Sequence, residues 1–253
     1  MKRRTYTLIG VAVFVCALLA YAPAATLYGW LAPKNNPADV ELYGVQGTVA
    51  QGQLSGVFIK GHPALAKLRW QLNPWWLLLA RASFHVQGGG EQAVLDGHVS
   101  FAPFNGIRLS DLRAAMKVKP LLTAIGQPYL PLDGQAALDL KSLKLRNNQL
   151  RSADGRVTIH GLAWTLAKDP LPLGDYEAVV TTEASDVIAK INSTSGPLEL
   201  SGTAKLSQDQ SYEILAQFKP KADAPPLVVN LVSSSGAPDA QGWYHFTLHG
   251  KLQ

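Results

Sequence analysis

The sequence predicts an all-β fold preceded by one membrane-spanning helix, and three observations carry that expectation. Beyond residue 38, apolar residues alternate with polar ones in short runs, as in a strand with one buried face. Glycines and clusters of Asn or Pro break these runs at intervals, as turns between antiparallel strands do. The stretch from Thr5 to Pro33 contains no Asp, Glu, Lys, Arg or His, and roughly 20 apolar residues are enough for a helix to cross a bilayer.

The N-terminus sets the expected topology. Lys2, Arg3 and Arg4 precede the apolar stretch, and the next charge is Lys34. Positive residues stay on the cytoplasmic side, so these three send the rest of the chain across the membrane. Tyr21, Tyr28 and Trp30 lie near the far end, where aromatic rings favour the interface. A cleaved signal peptide is the alternative, since Leu8 to Ala22 has the length of an h-region and Ala20-Tyr21-Ala22 offers a small-x-small site. Pro23 directly after that site disfavours cleavage, and the apolar run continues through Ala24, Leu27 and Leu31. The expected organisation is therefore a cytoplasmic tail and anchor over 1–33, a linker over 34–38 and one β domain over 39–253.

Within the β domain, Leu68, Trp70 and Leu72 alternate with Arg69 and Gln71, and Val157 and Ile159 alternate with Arg156, Thr158 and His160. Many such strands at turn-marked intervals indicate an extended, curled antiparallel sheet. Leu138 and Leu140 share one parity, whereas Leu143 and Leu145 have the other. One extra residue near Ser142 restores a common face, which predicts a β-bulge there. Asn147-Asn148 reads as a hairpin turn, and Gly88-Gly89-Gly90 as a second hairpin tip. One or two short helices are expected, at Pro74 to Ala80 and at Pro120 to Gly126.

Composition narrows the function classes. The net charge is +5, of which Lys2, Arg3 and Arg4 supply three, leaving +2 for everything after them. A nucleic-acid binder concentrates Lys and Arg on its folded domain, so no nucleic-acid partner is expected. The densest basic stretch, Lys141, Lys144, Arg146, Arg151 and Arg156, is interleaved with Asp139 and Asp154 and reads as a solvated hairpin face. The only cysteine, Cys16, lies in the apolar N-terminal run, so the domain holds no disulfide and no thiolate chemistry. No phosphate loop, dinucleotide fingerprint, nucleophile elbow or His-Glu-x-x-His motif occurs. His245 and His249 are four apart, too far along a strand to share one metal ion. The chain is accordingly expected to be no enzyme and to carry no cofactor, metal or catalytic residue. Trp75-Trp76 leading into Leu77 is the one block that stands out: either a plug for one end of the sheet or an exposed patch for a membrane or partner.

In order along the chain, these features resemble protein N of the bacterial general (type II) secretion pathway, the GspN family. The resemblance begins with the basic tail and spanning helix and continues through Gly44-Val45-Gln46-Gly47-Thr48-Val49, Gly52 and Gly56. The segment from Leu65 to Pro74 is similar to the family's Leu-x-Trp-x-Leu-x-Pro element. Leu130-Pro131-Leu132-Asp133-Gly134, Gly161-Leu162-Ala163-Trp164 and the close from Gly242 to Leu252 follow. One departure is that Ala50-Gln51-Gly52 stands where the family often has Trp-Ser-Gly. The resemblance implies an accessory inner-membrane subunit, single-pass, with a periplasmic C-terminal β domain that acts as an interaction scaffold in protein export. The implied partners are other inner-membrane subunits of the machine and the outer-membrane secretin or its connecting protein, with membrane lipid around the anchor. The second expectation is a lipid or hydrophobic-ligand carrier, because the strand texture also resembles the AsmA-like envelope proteins, whose sheets form an open groove.

Overall fold

A computed structural model of the chain describes residues 21–31, 40–59, 61–75, 81–90, 93–102, 106–124, 127–147, 149–166, 169–234 and 236–251. The chain enters as helix α1 (Ala24–Leu31) and is then almost wholly strand. Strands β1 (Val40–Tyr43), β4 (Gly56–Ile59) and β5 (His62–Leu65) form a small sheet of their own in the order β1-β4-β5. The remainder build one thirteen-stranded sheet: β2 (Gln46–Gly47), β3 (Gln51–Leu54), β6 (Lys67–Asn73), β7 (Ala82–Gly89), β8 (Ala93–Ala102), β9 (Gly106–Lys117), β10 (Leu132–Arg146), β11 (Gln149–Trp164), β12 (Leu171–Glu183), β13 (Asp186–Ser195), β14 (Leu198–Leu206), β15 (Ser211–Pro220) and β16 (Tyr244–Lys251). Every pairing is antiparallel, and apart from the inserted small sheet each strand lies beside its predecessor in the chain. Alternation along the chain is thus converted into two faces of one sheet, one apolar and one polar.

The predicted bulge lies where the leucine parity changes. Against β11, the register of β10 shifts between Leu140 and Ser142, which brings Leu143 and Leu145 back to the face of Leu138 and Leu140. A matching shift occurs one strand pair away, between β8 and β9 at Asp96/His98, and there Asp111 has φ +51°. The β9–β10 pairing itself runs unshifted through this level, so two bulges sit side by side. The Asn147 turn joins Arg146 to its partner Gln149, with Asn147 at φ +53° as a two-residue hairpin requires.

Helix α2 (Val118–Ala124) begins two residues before the proline that was expected to open it. Helix α3 (Pro226–Ser233) has no counterpart in the sequence expectations; Val228, Val229 and Val232 are β-branched and favour a strand. Both helices lie on the apolar face. Val118 and Leu122 pack with Ala136, while Val228 and Val232 pack with Leu171, Leu173 and Tyr244; Leu132 and Leu162 adjoin both clusters. Among the described residues, Val228 is the one large side chain that is fully buried. Away from these helices the apolar face is only half covered. Among the described residues no helix is long and apolar enough to cross a membrane; Lys2, Arg3, Arg4 and most of the expected anchor lie outside them.

Candidate interaction surface

The polar face is built by register. Starting at Arg69, the successive cross-strand partners are Gln87, Asp96, Arg113, Asp139 and Arg156, one from each strand from β6 to β11. Opposite charges on adjacent strands attract, and Arg156 Nε also lies 2.7 Å from Glu177 Oε1. Asp96 accepts bonds from Gln87 Nε2 at 3.0 Å and His85 Nε2 at 3.2 Å. Those contacts, the Gln87 amide first, hold its carboxyl below the usual range. His85 and His98 are cross-strand partners whose rings stack with centroids 4.7 Å apart. Sequence alone gave no hint of this pair, since only the register brings the two together. Among the described residues no group of three or more His, Cys, Asp or Glu is placed to hold a metal ion.

The basic hairpin stretch makes polar contacts of its own. Ser142 Oγ donates to Asp154 Oδ2 at 3.2 Å, and the Arg151 guanidinium donates to Gln149. Further along, Asp175 accepts the Gly161 N–H at 2.7 Å and the Ser195 hydroxyl at 2.7 Å. The Gly161 bond, followed by the Ser195 bond, lowers its pKa. Next to it, burial and then the Asp175 charge push the Tyr176 phenol up to about 12.

Of the block expected to be a plug or an interaction patch, Trp75 follows β6 and is 76% exposed, with its backbone N–H donating to Asn73 Oδ1 at 3.2 Å. Trp76 and Leu77 lie outside the described residues. Trp75 leaves the sheet at the end of the strands opposite to α2 and α3.

The two edges of the large sheet differ. At the first, β2 pairs over only two residues, and the chain's own N-terminal segment closes over it: Pro23 bridges Thr48, and the Val49 N–H donates to Ala22 O at 3.0 Å. At the second, β16 pairs with β15 along all eight residues, and His245 to His249 are exposed one after another. His245 Nε2 is 2.8 Å from Asp239 Oδ2, in the loop that leads into the strand.

The described residues thus present a thirteen-stranded meander with an open edge, a polar face on which charges alternate from Asp96 to Arg156, and a half-covered apolar face. Comparison with known proteins gives it a family. The model for "Type II secretion system (T2SS), protein N" matches residues 38–247, from just before β1 into β16. The chain belongs to the type II secretion system protein N family. It is 28% identical to the protein of that name from Vibrio cholerae serotype O1, over the full length of both chains. The Klebsiella pneumoniae protein N is 28% identical over 96% of this chain and 94% of its own, and the Aeromonas hydrophila protein N 25% identical over 85% and 86%. These relatives carry the name of a secretion-system component and not of an enzyme. No solved structure matches the chain.

Proposed function

We propose that this protein N family member is an accessory subunit of the type II secretion system, held in the inner membrane by a single N-terminal span, with its β domain in the periplasm as a protein-interaction scaffold. The observation that carries this is the family match, which takes in nearly the whole sheet. The basic triplet Lys2, Arg3 and Arg4 ahead of an uncharged run supports the topology. An open sheet with one long free edge suits recruitment of another chain. Other inner-membrane subunits and the secretin or its connecting protein are the partners expected. The chain, tagged at its C-terminus, should come out of membranes in mild detergent with its N-terminus uncleaved and with secretion subunits attached. Repeated recovery without any such subunit would overturn the assignment.

The half-covered apolar face favours a second reading, a carrier of lipid or another hydrophobic ligand. Val228 is the one fully buried large side chain among the described residues, and large apolar side chains on this face, such as Phe101 and Leu248, stay exposed. Native mass spectrometry decides between the two: phospholipid retained without secretion subunits supports the carrier, and a lipid-free chain removes it.

A further inference from the structure

We propose that β16 is a strand-addition site: its free edge takes an extended segment of a partner protein in which apolar residues alternate with acidic ones. This deepens the interaction-scaffold assignment above and rests on it. The asymmetry of the two edges is the starting point. The β2 edge is two residues long and bridged by the chain's own Pro23, whereas among the described residues no strand pairs with the outer side of β16.

Edge strands are usually blunted by shortness, proline, bulges or inward charges. β16 uses none of these and carries a single charged side chain of the edge-guarding kind, Lys251 at its end. It runs in unbroken register from Ser211↔Lys251 to Phe218↔Tyr244, although the strand pairs of β8 to β13 repeatedly shift. In such a ladder, alternate residues turn their N–H and C=O away from the neighbouring strand and offer them to a new one. Its side chains are as open as its backbone: Phe246 is 48% and Leu248 43% exposed, though both belong to the apolar face. One further strand would flank them.

The chemistry of the edge selects its occupant. β16 contains no Asp or Glu, and its polar face carries His245, Thr247, His249 and Lys251. His245 is engaged by Asp239, while Lys251 Nζ is approached only at 3.9 Å, by Asp209. β15 displays the complement on the inner side, with Glu213 opposite His249 and Ile214 opposite Leu248. A second copy fits poorly. Two copies related by a twofold axis pair antiparallel, and the two longest registers that keep like faces together set His245 against either His249 or Lys251. β16 has no Asp or Glu, so in neither register does a second copy set a carboxylate against Lys251. An acidic and apolar strand from another chain supplies that carboxylate.

The full chain in detergent is offered two short synthetic peptides matched in length to β16, one alternating valine with glutamate and the other valine with lysine. Fluorescence anisotropy at low salt should show the glutamate peptide binding roughly ten-fold or more tightly than the lysine peptide. Hydrogen exchange should slow in β16. Lys251→Glu, at an exposed position, should keep the thermal transition of the wild type and narrow the preference to about three-fold or less. Equal binding of both peptides, or protection on any strand other than β16, overturns the proposal. A chain that recovers secretion subunits but ignores both peptides loses this site and keeps the proposed function. One that takes the glutamate peptide on β16 but recovers no secretion subunit does the reverse.

Discussion

Gly52 leaves room for the indole of Trp70. A Cβ at residue 52 would meet Trp70 Cζ2 at 2.3 Å and the Gln46 carbonyl oxygen at 2.5 Å. The indole is also tethered from the far side, where its Nε1–H points at the carbonyls of Thr48 and Val49 at 3.2 and 3.1 Å. Neither the backbone oxygen nor the tethered ring can move aside cheaply. Gly52→Ala should therefore cost about 1–3 kcal/mol in urea denaturation followed by tryptophan fluorescence; a cost near zero would mean that the indole does not lie over residue 52. Trp70→Phe keeps most of the packing and loses the N–H, so a smaller penalty of about 0.5–1.5 kcal/mol is expected. Asp175 provides a pH-dependent counterpart. Its folded pKa is depressed by the Gly161 N–H and the Ser195 hydroxyl, so its contribution is present above the unfolded value of about 3.9 and is lost as pH falls through the lower folded value. Asp175→Asn should be less stable than the wild type at neutral pH, and the gap between their melting temperatures should close on acidification. A gap that stays constant down to pH 3 would show that the ionised carboxylate is not what stabilises this corner.

At the scale of elements, the paired bulges at Asp111 and Lys141 are the least ordinary feature of the sheet. Each is an extra residue on its own strand, and the β9–β10 register passes both without a shift. Removing one would leave the other facing a regular strand, whereas removing both would leave Leu140 and Leu143 still on the apolar face. Deletion of Lys141 alone, or of Asp111 alone, should therefore destabilise more than a bystander deletion. The double deletion should recover roughly 1 kcal/mol or more relative to the sum of the two, a coupling that a double-mutant cycle measures directly. Strict additivity would mean that the bulges are independent. The position of the β10 bulge was legible in the sequence because leucine parity is a local property. The strands and the Asn147 hairpin were legible for the same reason. Helix α3 was not, because its β-branched residues favour a strand and only the packing of Val228 and Val232 on Leu171, Leu173 and Tyr244 makes a helix of them. The charge row from Arg69 to Arg156 and the stacked His85–His98 pair were hidden in the same way. Parity assigns each residue to a face, but only the register between strands decides which residues meet.

As a whole molecule, the protein is close to one-dimensional. Strand contacts run almost entirely between neighbours in the meander, and those neighbours are neighbours in sequence. In such an array, stability is approximately a sum of strand terms and interface terms, so damage at one end need not reach the other. Helix α3 is the strongest test, since it carries Val228, the one fully buried large side chain among the described residues, and its cluster reaches no farther back along the sheet than β10. Val228→Asp puts a charge where exposure is 0%, and an uncompensated buried charge costs roughly 3–5 kcal/mol, enough to release the helix from the sheet. Hydrogen exchange should then accelerate at the α3 ends of β12, β15 and β16, while β6 to β9, linked to them only through the intervening strands, keep their protection. Equal loss of protection in both halves would reveal a single cooperative unit joined by something other than strand pairing. If the halves do respond separately, a partner strand added at β16 would stabilise the end of the sheet it joins and leave the strands at the N-terminal end of the sheet unaltered.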